Sequence, residues 1–170
     1  MEKLDNDNNM NKNKIVVETY TRSATKDDEK MERQQMLLHE YCNSKGYKIL
    51  KSNIDNGYSG ANLNRPAFQE ILEDMRLGKF KKLIIPKMDS LSRNIHDITN
   101  LFEEFSRYNC EIETVEDNIN SASPSGKLLV NIIEVFAQFE RETIKDRKQQ
   151  EKKYKEQQRI ENLKEVEDNG

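Results

Sequence analysis

Four arginines in separate parts of the chain have the clearest chemical potential. Arg22, Arg65, Arg93 and Arg141 lie among other polar or aromatic residues, and no helix or strand periodicity requires them. Arginine suits phosphate because its planar guanidinium donates two parallel hydrogen bonds and stays charged at any working pH. A single arginine is most often a surface ion-pair residue, so the neighbours of these four decide the interpretation.

Those neighbours form four short motifs. They are Tyr20-Thr21-Arg22-Ser23-Ala24-Thr25, Tyr58-Ser59-Gly60 with Arg65-Pro66, Asp89-Ser90-Leu91-Ser92-Arg93, and Ala137-Gln138-Phe139-Glu140-Arg141. In this order the motifs resemble the N-terminal catalytic domain of the resolvase/invertase family of serine recombinases. The resemblance runs from about Ile15 to about Arg147. It implies the fold of that domain and a site-specific recombination reaction that needs neither a metal nor another cofactor.

The resemblance also implies roles for individual residues. In the family, a serine at the end of the first strand attacks the scissile phosphate and forms a 5′-phosphoserine link to DNA. The matching positions of the active site here are Arg22 in the first motif, Gln34 on the first helix, Arg65 in a mobile loop, Asp89 and Arg93 in the family's D-R-L-x-R motif, and Glu140 with Arg141 on the long helix.

Two departures from the family pattern fall on the chemistry itself. Ala24 occupies the position of the nucleophile, and a methyl group cannot attack phosphorus. Ser90 replaces the first arginine of the D-R-L-x-R motif; loss of one such donor typically costs about 10²–10³ in rate. Ser23 is a possible substitute nucleophile, but neighbouring residues of a strand point to opposite faces, which favours a structural hydroxyl. We therefore predict a catalytically inactive chain.

The order of predicted elements favours an α/β fold. Strands near residues 15–20, 47–54, 83–85 and 111–115 alternate with helices near 29–45, 66–78 and 95–108. We predict a resolvase-like three-layer α/β/α sandwich with a mostly parallel sheet and a long C-terminal helix. The predicted division is a disordered tail over 1–13, a catalytic domain over 14–125, an oligomerisation helix over 126–150 and a charged tail over 151–170.

Composition restricts the partners. The 170 residues carry a net charge of −3, whereas a self-sufficient DNA-binding domain is usually basic. No helix-turn-helix or long basic region follows the long helix in this sequence, so we expect weak or no DNA binding by the chain alone. Neither His39 with Cys42, which lack further ligands, nor any other pair predicts a metal site. Two cysteines and no apolar span favour a reducing cytoplasm and no membrane partner.

Two functional hypotheses remain, and a third is disfavoured. The first is a recombinase catalytic domain without its nucleophile, forming a homodimer or tetramer through the helix over 126–150 and contacting DNA with help from a missing module or partner subunit. The second is a non-catalytic module that binds an active recombinase homologue and regulates its assembly. A nucleotide-binding domain is disfavoured because no glycine-rich loop lies between Tyr20 and the first helix.

Overall fold

Strands and helices alternate along the chain in the computed structural model, which describes residues 14–168, with side chains to residue 159. The strands are β1 (Val16–Ser23), β2 (Lys48–Asn56), β3 (Lys82–Ile85) and β4 (Glu111–Thr114). The helices are α1 (Asp28–Lys45), α2 (Pro66–Arg76), α3 (Ile95–Arg107) and α4 (Pro124–Asp168), and a 3-10 turn covers Met88–Ser90. The tail predicted over residues 1–13 lies outside the described residues.

The strands form one parallel sheet in the order β2-β1-β3-β4. A helix follows each of the first three strands and returns the chain to the starting edge, which is why the next strand can pair in parallel. The carboxyl ends of β1 and β3 therefore lie side by side, where parallel α/β sheets place their ligands. The predicted α/β class with a mostly parallel sheet is confirmed.

Apolar side chains cover both faces of the sheet. On one face Tyr20 and Leu83 pack with residues of α2 and α3, including Phe68 and Phe102. On the other face Val17 and Ile84 pack with Leu38 and Cys42 of α1. Because β1 and β3 are covered on both sides, their apolar residues form nearly continuous runs. This arrangement confirms the predicted three layers.

Most element bounds follow from local signals that the sequence contains. Helix α1 begins at Asp28 because the carboxylate of Asp27 accepts a hydrogen bond from the Lys30 amide at 2.9 Å. Helix α2 begins at Pro66, as predicted, since proline fits the first turn. Strand β2 extends to Asn56, two residues beyond the prediction, because Asp55 and Asn56 pair with the end of β1.

The last helix is longer than the predicted 126–150. It begins at Pro124, where the Ser123 hydroxyl accepts a hydrogen bond from the Gly126 amide at 2.9 Å, and it continues to Asp168. The chain between residues 127 and 168 contains neither glycine nor proline, so nothing in this stretch ends the helix. One compact unit of the chain ends at Asn131 and a second begins at Ile132, within α4. No helix in the described part of the chain has the length and apolarity needed to span a membrane.

Candidate active site at the carboxyl edge of the sheet

The last residues of β1 point alternately to the two faces of the sheet. Arg22 lies on the same face as Tyr20, and Ser23 lies on the opposite face. The Ser23 side chain is buried, with 2% of the residue exposed. Ala24 follows the strand directly and is exposed. The position of the expected nucleophile is therefore open to solvent, whereas the neighbouring hydroxyl is enclosed.

All three guanidinium nitrogens of Arg22 donate to backbone carbonyl groups. Its Nε donates to the Ser90 carbonyl at 3.2 Å, its Nη1 to the Tyr58 carbonyl at 2.9 Å and its Nη2 to the Asp89 carbonyl at 3.0 Å. Gly60 permits this arrangement, since a Cβ atom at that position would lie 2.8 Å from Arg22 Nη2. Arg22 thereby connects the end of β1 to the loop after β2 and to the 3-10 turn after β3.

Arg65 is also buried, at the N-terminal boundary of α2, with 1% of the residue exposed. Its Nη1 donates to the Ser90 carbonyl at 3.2 Å, and its Nη2 donates to the Leu91 carbonyl. The guanidinium carbon lies 5.6 Å from the centre of the Tyr20 ring and 5.0 Å from that of Phe68. These aromatic faces favour a cation, while burial lowers the pKa of Arg65 below its ordinary value. The residue expected in a mobile loop is a packed part of the core.

Asp55 connects Tyr20, whose ring lies beside Arg65, to the first turn of α2. The Tyr20 hydroxyl donates to Asp55 Oδ2 at 3.0 Å, and the amides of Ala67 and Phe68 donate to the same carboxylate at 3.1 Å. Burial raises the pKa of Tyr20, so the hydroxyl stays a donor. Sequence reasoning assigned no role to Asp55 or Gly60. The available signal for Asp55 was an acidic residue at a strand end, ahead of a helix that begins with proline.

A cleft of about 240 Å³ lies beside these arginines, between α1 and the loops that follow β3 and β4. Its lining residues are Lys30, Gln34, Pro86, Lys87, Asp89, Ser90 and Glu116. Lys87 Nζ pairs with Glu116 at 3.0 Å, and Gln34 Oε1 is buried without a hydrogen-bond partner in the described part of the chain. Gln34 of the first helix thus meets Asp89 and Ser90 of the Asp89–Arg93 motif in one cleft.

The remaining predicted site residues lie on exposed surfaces. Arg93 is exposed, and its backbone amide donates to the Gly60 carbonyl at 3.4 Å. Glu140 and Arg141 are exposed on α4 and belong to the second unit. Among the described residues no group of three or more His, Cys, Asp or Glu side chains could hold a metal ion. His39 Nε2 instead lies 3.0 Å from the Ser52 hydroxyl, and Cys42 is buried.

The comparisons with known proteins identify the class. A family model of the resolvase N-terminal domain matches residues 17–160, and the chain belongs to this family. Among solved structures, the N-terminal catalytic domain of TP901-1 integrase is 28% identical with a TM-score of 0.72, over 75% of this chain and 98% of that one. A resolvase family site-specific recombinase from Streptococcus pneumoniae is 26% identical with a TM-score of 0.68, over 81% of this chain and 95% of that one.

Individual relatives fall within the same family. The transposon Tn552 DNA-invertase BinR of Staphylococcus aureus is 32% identical over 52% of this chain and 46% of its own length. The serine recombinase PinR of Escherichia coli K12 is 26% identical over 75% of this chain and 64% of its own length. The chain thus spans about half to two thirds of the curated relatives it matches. The predicted family and fold are confirmed.

Proposed function

We propose that this chain is the recombinase-type domain of a site-specific DNA recombination system and that, with Ala24 in place, it cannot form the covalent link to DNA. The single observation that carries the proposal is the end of β1. There an exposed methyl group stands where the family's nucleophile stands, two residues after an arginine whose guanidinium donates to three carbonyl groups. Such a site retains its framework and lacks the atom that would attack phosphorus.

Ser23 does not provide that atom in this arrangement. Its side chain is buried on the α1 face of the sheet, whereas an attacking hydroxyl must reach a phosphate of the DNA backbone. Ser90 does not replace the missing charge either, because a neutral hydroxyl cannot stabilise a phosphate as a guanidinium does. Both departures support a subunit that takes part in recombination without cleaving a strand.

One side of α4 supports DNA as a partner. At 100° per residue, six basic residues fall within an arc of about 80° over about 27 Å of helix. This basic face consists of Arg141, Lys145, Lys148, Lys152, Lys155 and Arg159, and all six are exposed. A row of cations of this length matches the repeated charges of a phosphate backbone. The basic face offers DNA a local surface although the whole chain carries a net charge of −3.

Restoration of the nucleophile tests the proposal. We expect Ala24→Ser to form a denaturation-resistant adduct with duplexes taken from the locus that encodes the chain, and the unaltered chain to form none. Ala61→Ser is the matched control, since Ala61 is also exposed and also precedes a polar residue. Addition of Ser90→Arg to Ala24→Ser is expected to increase the adduct yield, because the second missing group returns.

Three outcomes would contradict the proposal. An adduct formed by the unaltered chain would show that another group attacks the phosphate, and Ser23→Ala would then identify or exclude Ser23. Adduct formation by Ala61→Ser equal to that of Ala24→Ser would show that position 24 has no special role. Failure of Ala24→Ser, with and without Ser90→Arg, would contradict the assignment of Ala24 as the blocking residue.

A second candidate function is regulation of an active homologue by mixed assembly. The second unit favours it, because Ile132, Phe136 and Phe139 are 45%, 59% and 66% exposed and lie on the side of α4 opposite the basic face. Exposed apolar residues that share one side of a helix are typical of a surface that another helix covers. A recombinase helix of the same pattern, in a second copy or in an active homologue, is the partner we propose.

Mixing experiments separate this candidate from the first. Donor-labelled chain and an acceptor-labelled active family member should show energy transfer, and recombination by the active protein should fall as the chain is added. Phe136→Ser with Phe139→Ser should abolish both effects. The matched control, Lys148→Ser with Lys152→Ser, changes the opposite side of the same helix and should retain the association. Absence of energy transfer with the unaltered chain would exclude regulation by mixed assembly.

A further inference from the structure

A carboxylate side chain lies in the middle of the central strand. Glu18 of β1 is fully buried, with 0% of the residue exposed. It shares the face of Tyr20, the face that packs against the apolar residues of α2 and α3. An ionised carboxylate in such a place loses its hydration. The free-energy cost of burying it is far greater than the cost of burying a neutral carboxylic acid.

Only one oxygen of Glu18 is matched by a donor. Asn53 Nδ2 of β2 donates to Glu18 Oε2 at 2.9 Å. Oε1 is buried and receives no hydrogen bond from any residue that the structure describes. The carboxyl group of Asp74 on α2 lies within hydrogen-bonding range of Glu18. Two ionised carboxylates cannot bond to each other, so a contact between them requires one proton.

The surrounding charges decide which carboxyl group holds that proton. Lys79, in the connection after α2, binds Asp74 with 2.6 Å between Nζ and Oδ1 and thereby favours the ionised form of Asp74. Lys51 of β2, the cation nearest to Glu18 on that side, is bound to Glu70 of α2. On the β4 side the ionisable neighbour is Cys110, a buried thiol rather than a cation. No described cation forms an ion pair with Glu18 itself.

The expected acidities agree with this geometry. Burial, with a smaller contribution from the negative charge of Asp74, raises the pKa of Glu18 to about 7 against the lowering effect of the hydrogen bond from Asn53. The hydrogen bond from Lys79 holds the pKa of Asp74 below its usual range. Glu18 is thus suited to donate a hydrogen bond, and Asp74 is suited to accept it.

We propose that Glu18 keeps its proton into the neutral range and donates it in a hydrogen bond to Asp74, so that β1 and α2 are joined by a carboxyl pair that shares one proton. Loss of the proton places two negative charges against each other between the strand and the helix. Helix α2 should then loosen. Its first turn contacts Asp55 and follows Arg65, so the loosening reaches the residues that frame the candidate site.

The sign of the pH dependence follows from proton counting. Between the ordinary pKa of a glutamate, 4.5, and the raised value of about 7, the folded chain holds a proton that the unfolded chain has released. Stability must therefore fall as the pH rises through this window, by up to about tenfold in the folding equilibrium constant per pH unit. The lowered pKa of Asp74 acts in the opposite direction, but only around and below its ordinary value of 3.8.

Glu18→Gln tests the pair, because glutamine retains a donor toward Asp74 and cannot ionise. Urea unfolding of the full chain from about pH 5 to about pH 8 should show the decrease in stability for the unaltered protein and a nearly flat profile for the variant. Amide hydrogen exchange in α2, corrected for its intrinsic pH dependence, should accelerate with pH in the unaltered protein only. Glu73→Gln, an exposed change on the same helix, is the matched control and should retain the decrease.

Direct titration keeps the test independent of variant folding. The side-chain carboxyl ¹³C resonance of Glu18 in the unaltered chain should titrate near neutrality, and Asp74→Asn should lower its midpoint by removing the neighbouring charge. A Glu18 resonance that titrates at the ordinary glutamate value would overturn the proposal. A Glu18→Gln variant that keeps the same loss of stability with rising pH would overturn it as well.

Discussion

The two compact units place positive charge in opposite ways. In the first unit, Arg22 and Arg65 are buried, and their guanidinium groups donate to backbone carbonyls of the loops around the site. In the second unit, the basic face of α4, from Arg141 to Arg159, is exposed along its whole length. Charge of the first kind organises the protein, and charge of the second kind is accessible to a phosphate.

The difference shows that an arginine at a family position does not by itself mark a phosphate contact. Arg22 links β1 to two loops, and Arg65 shares the Ser90 carbonyl with it. Both guanidinium groups donate to backbone carbonyls, which lack formal charge, and this arrangement stabilises loops more than it attracts anions. Substitutions at four places test whether enclosed and exposed charges have these different roles.

Arg65→Met should have the largest effect. It removes the donors to the Ser90 and Leu91 carbonyls and the cation between two aromatic rings, and we expect a loss of about 3 kcal/mol in the free energy of unfolding. Urea unfolding measures it. Arg93→Met is the matched control, since Arg93 is exposed, and it should change stability by less than about 0.5 kcal/mol. Equal effects of the two variants would contradict the structural role of Arg65.

Gly60→Ala should have the next largest effect. The added methyl group would lie 2.8 Å from Arg22 Nη2, so the guanidinium must leave its carbonyl partners, at a cost of about 1–3 kcal/mol. A double-mutant cycle with Arg22→Met isolates the contact, because the methyl group should cost little once the guanidinium is absent. Additive effects of the two substitutions would show that Gly60 does not serve Arg22.

Neutralisation of the basic face should weaken DNA binding while leaving stability unchanged. Lys148→Gln with Lys152→Gln removes two charges of that face, and we expect the slope of log affinity against log salt to decrease by about 2. Arg147→Gln with Lys153→Gln removes two exposed charges elsewhere on the same helix and should change the slope little. Fluorescence anisotropy with a labelled duplex at several salt concentrations measures both. Identical slopes for the two pairs would refute a specific role for this face.

Of the three changes at the candidate site, Ala24→Ser should have the smallest effect on stability, less than about 0.5 kcal/mol, because residue 24 is exposed and follows the strand. Thermal unfolding in parallel with the adduct assay checks this. A large stability change would mean that position 24 is part of the scaffold. In that case a gain or loss of adduct could not be assigned to the hydroxyl alone.

Much of the fold could be predicted from the sequence because its signals are local. Pro66 fixed the start of α2, and the apolar run ending at Ile85 indicated a buried strand. The length of α4 was underestimated, since its charged half lacks the apolar stripe on which the prediction of its end depended. Absence of glycine and proline was the better guide there.

The candidate site was predictable as a set of residues and not as an arrangement. Gln34, Asp89 and Ser90 were named from the family resemblance, and the structure places all three in the lining of one cleft. The burial of Arg65, the capping role of Asp55 and the carbonyl partners of Arg22 depend on contacts between residues 13 to 68 positions apart. Motifs contain no information about such partners.

Residue types and their spacing were sufficient to identify the family, the alternation of strands and helices, and the presence of alanine where a nucleophile is expected. Which charges are enclosed and which are exposed depends on contacts that form only in the folded chain. The enclosed groups, Glu18, Arg22 and Arg65, take their properties from the atoms that surround them after folding. Those atoms set the hydrogen bonds and the loss of hydration of each group, and these in turn decide what the group can do.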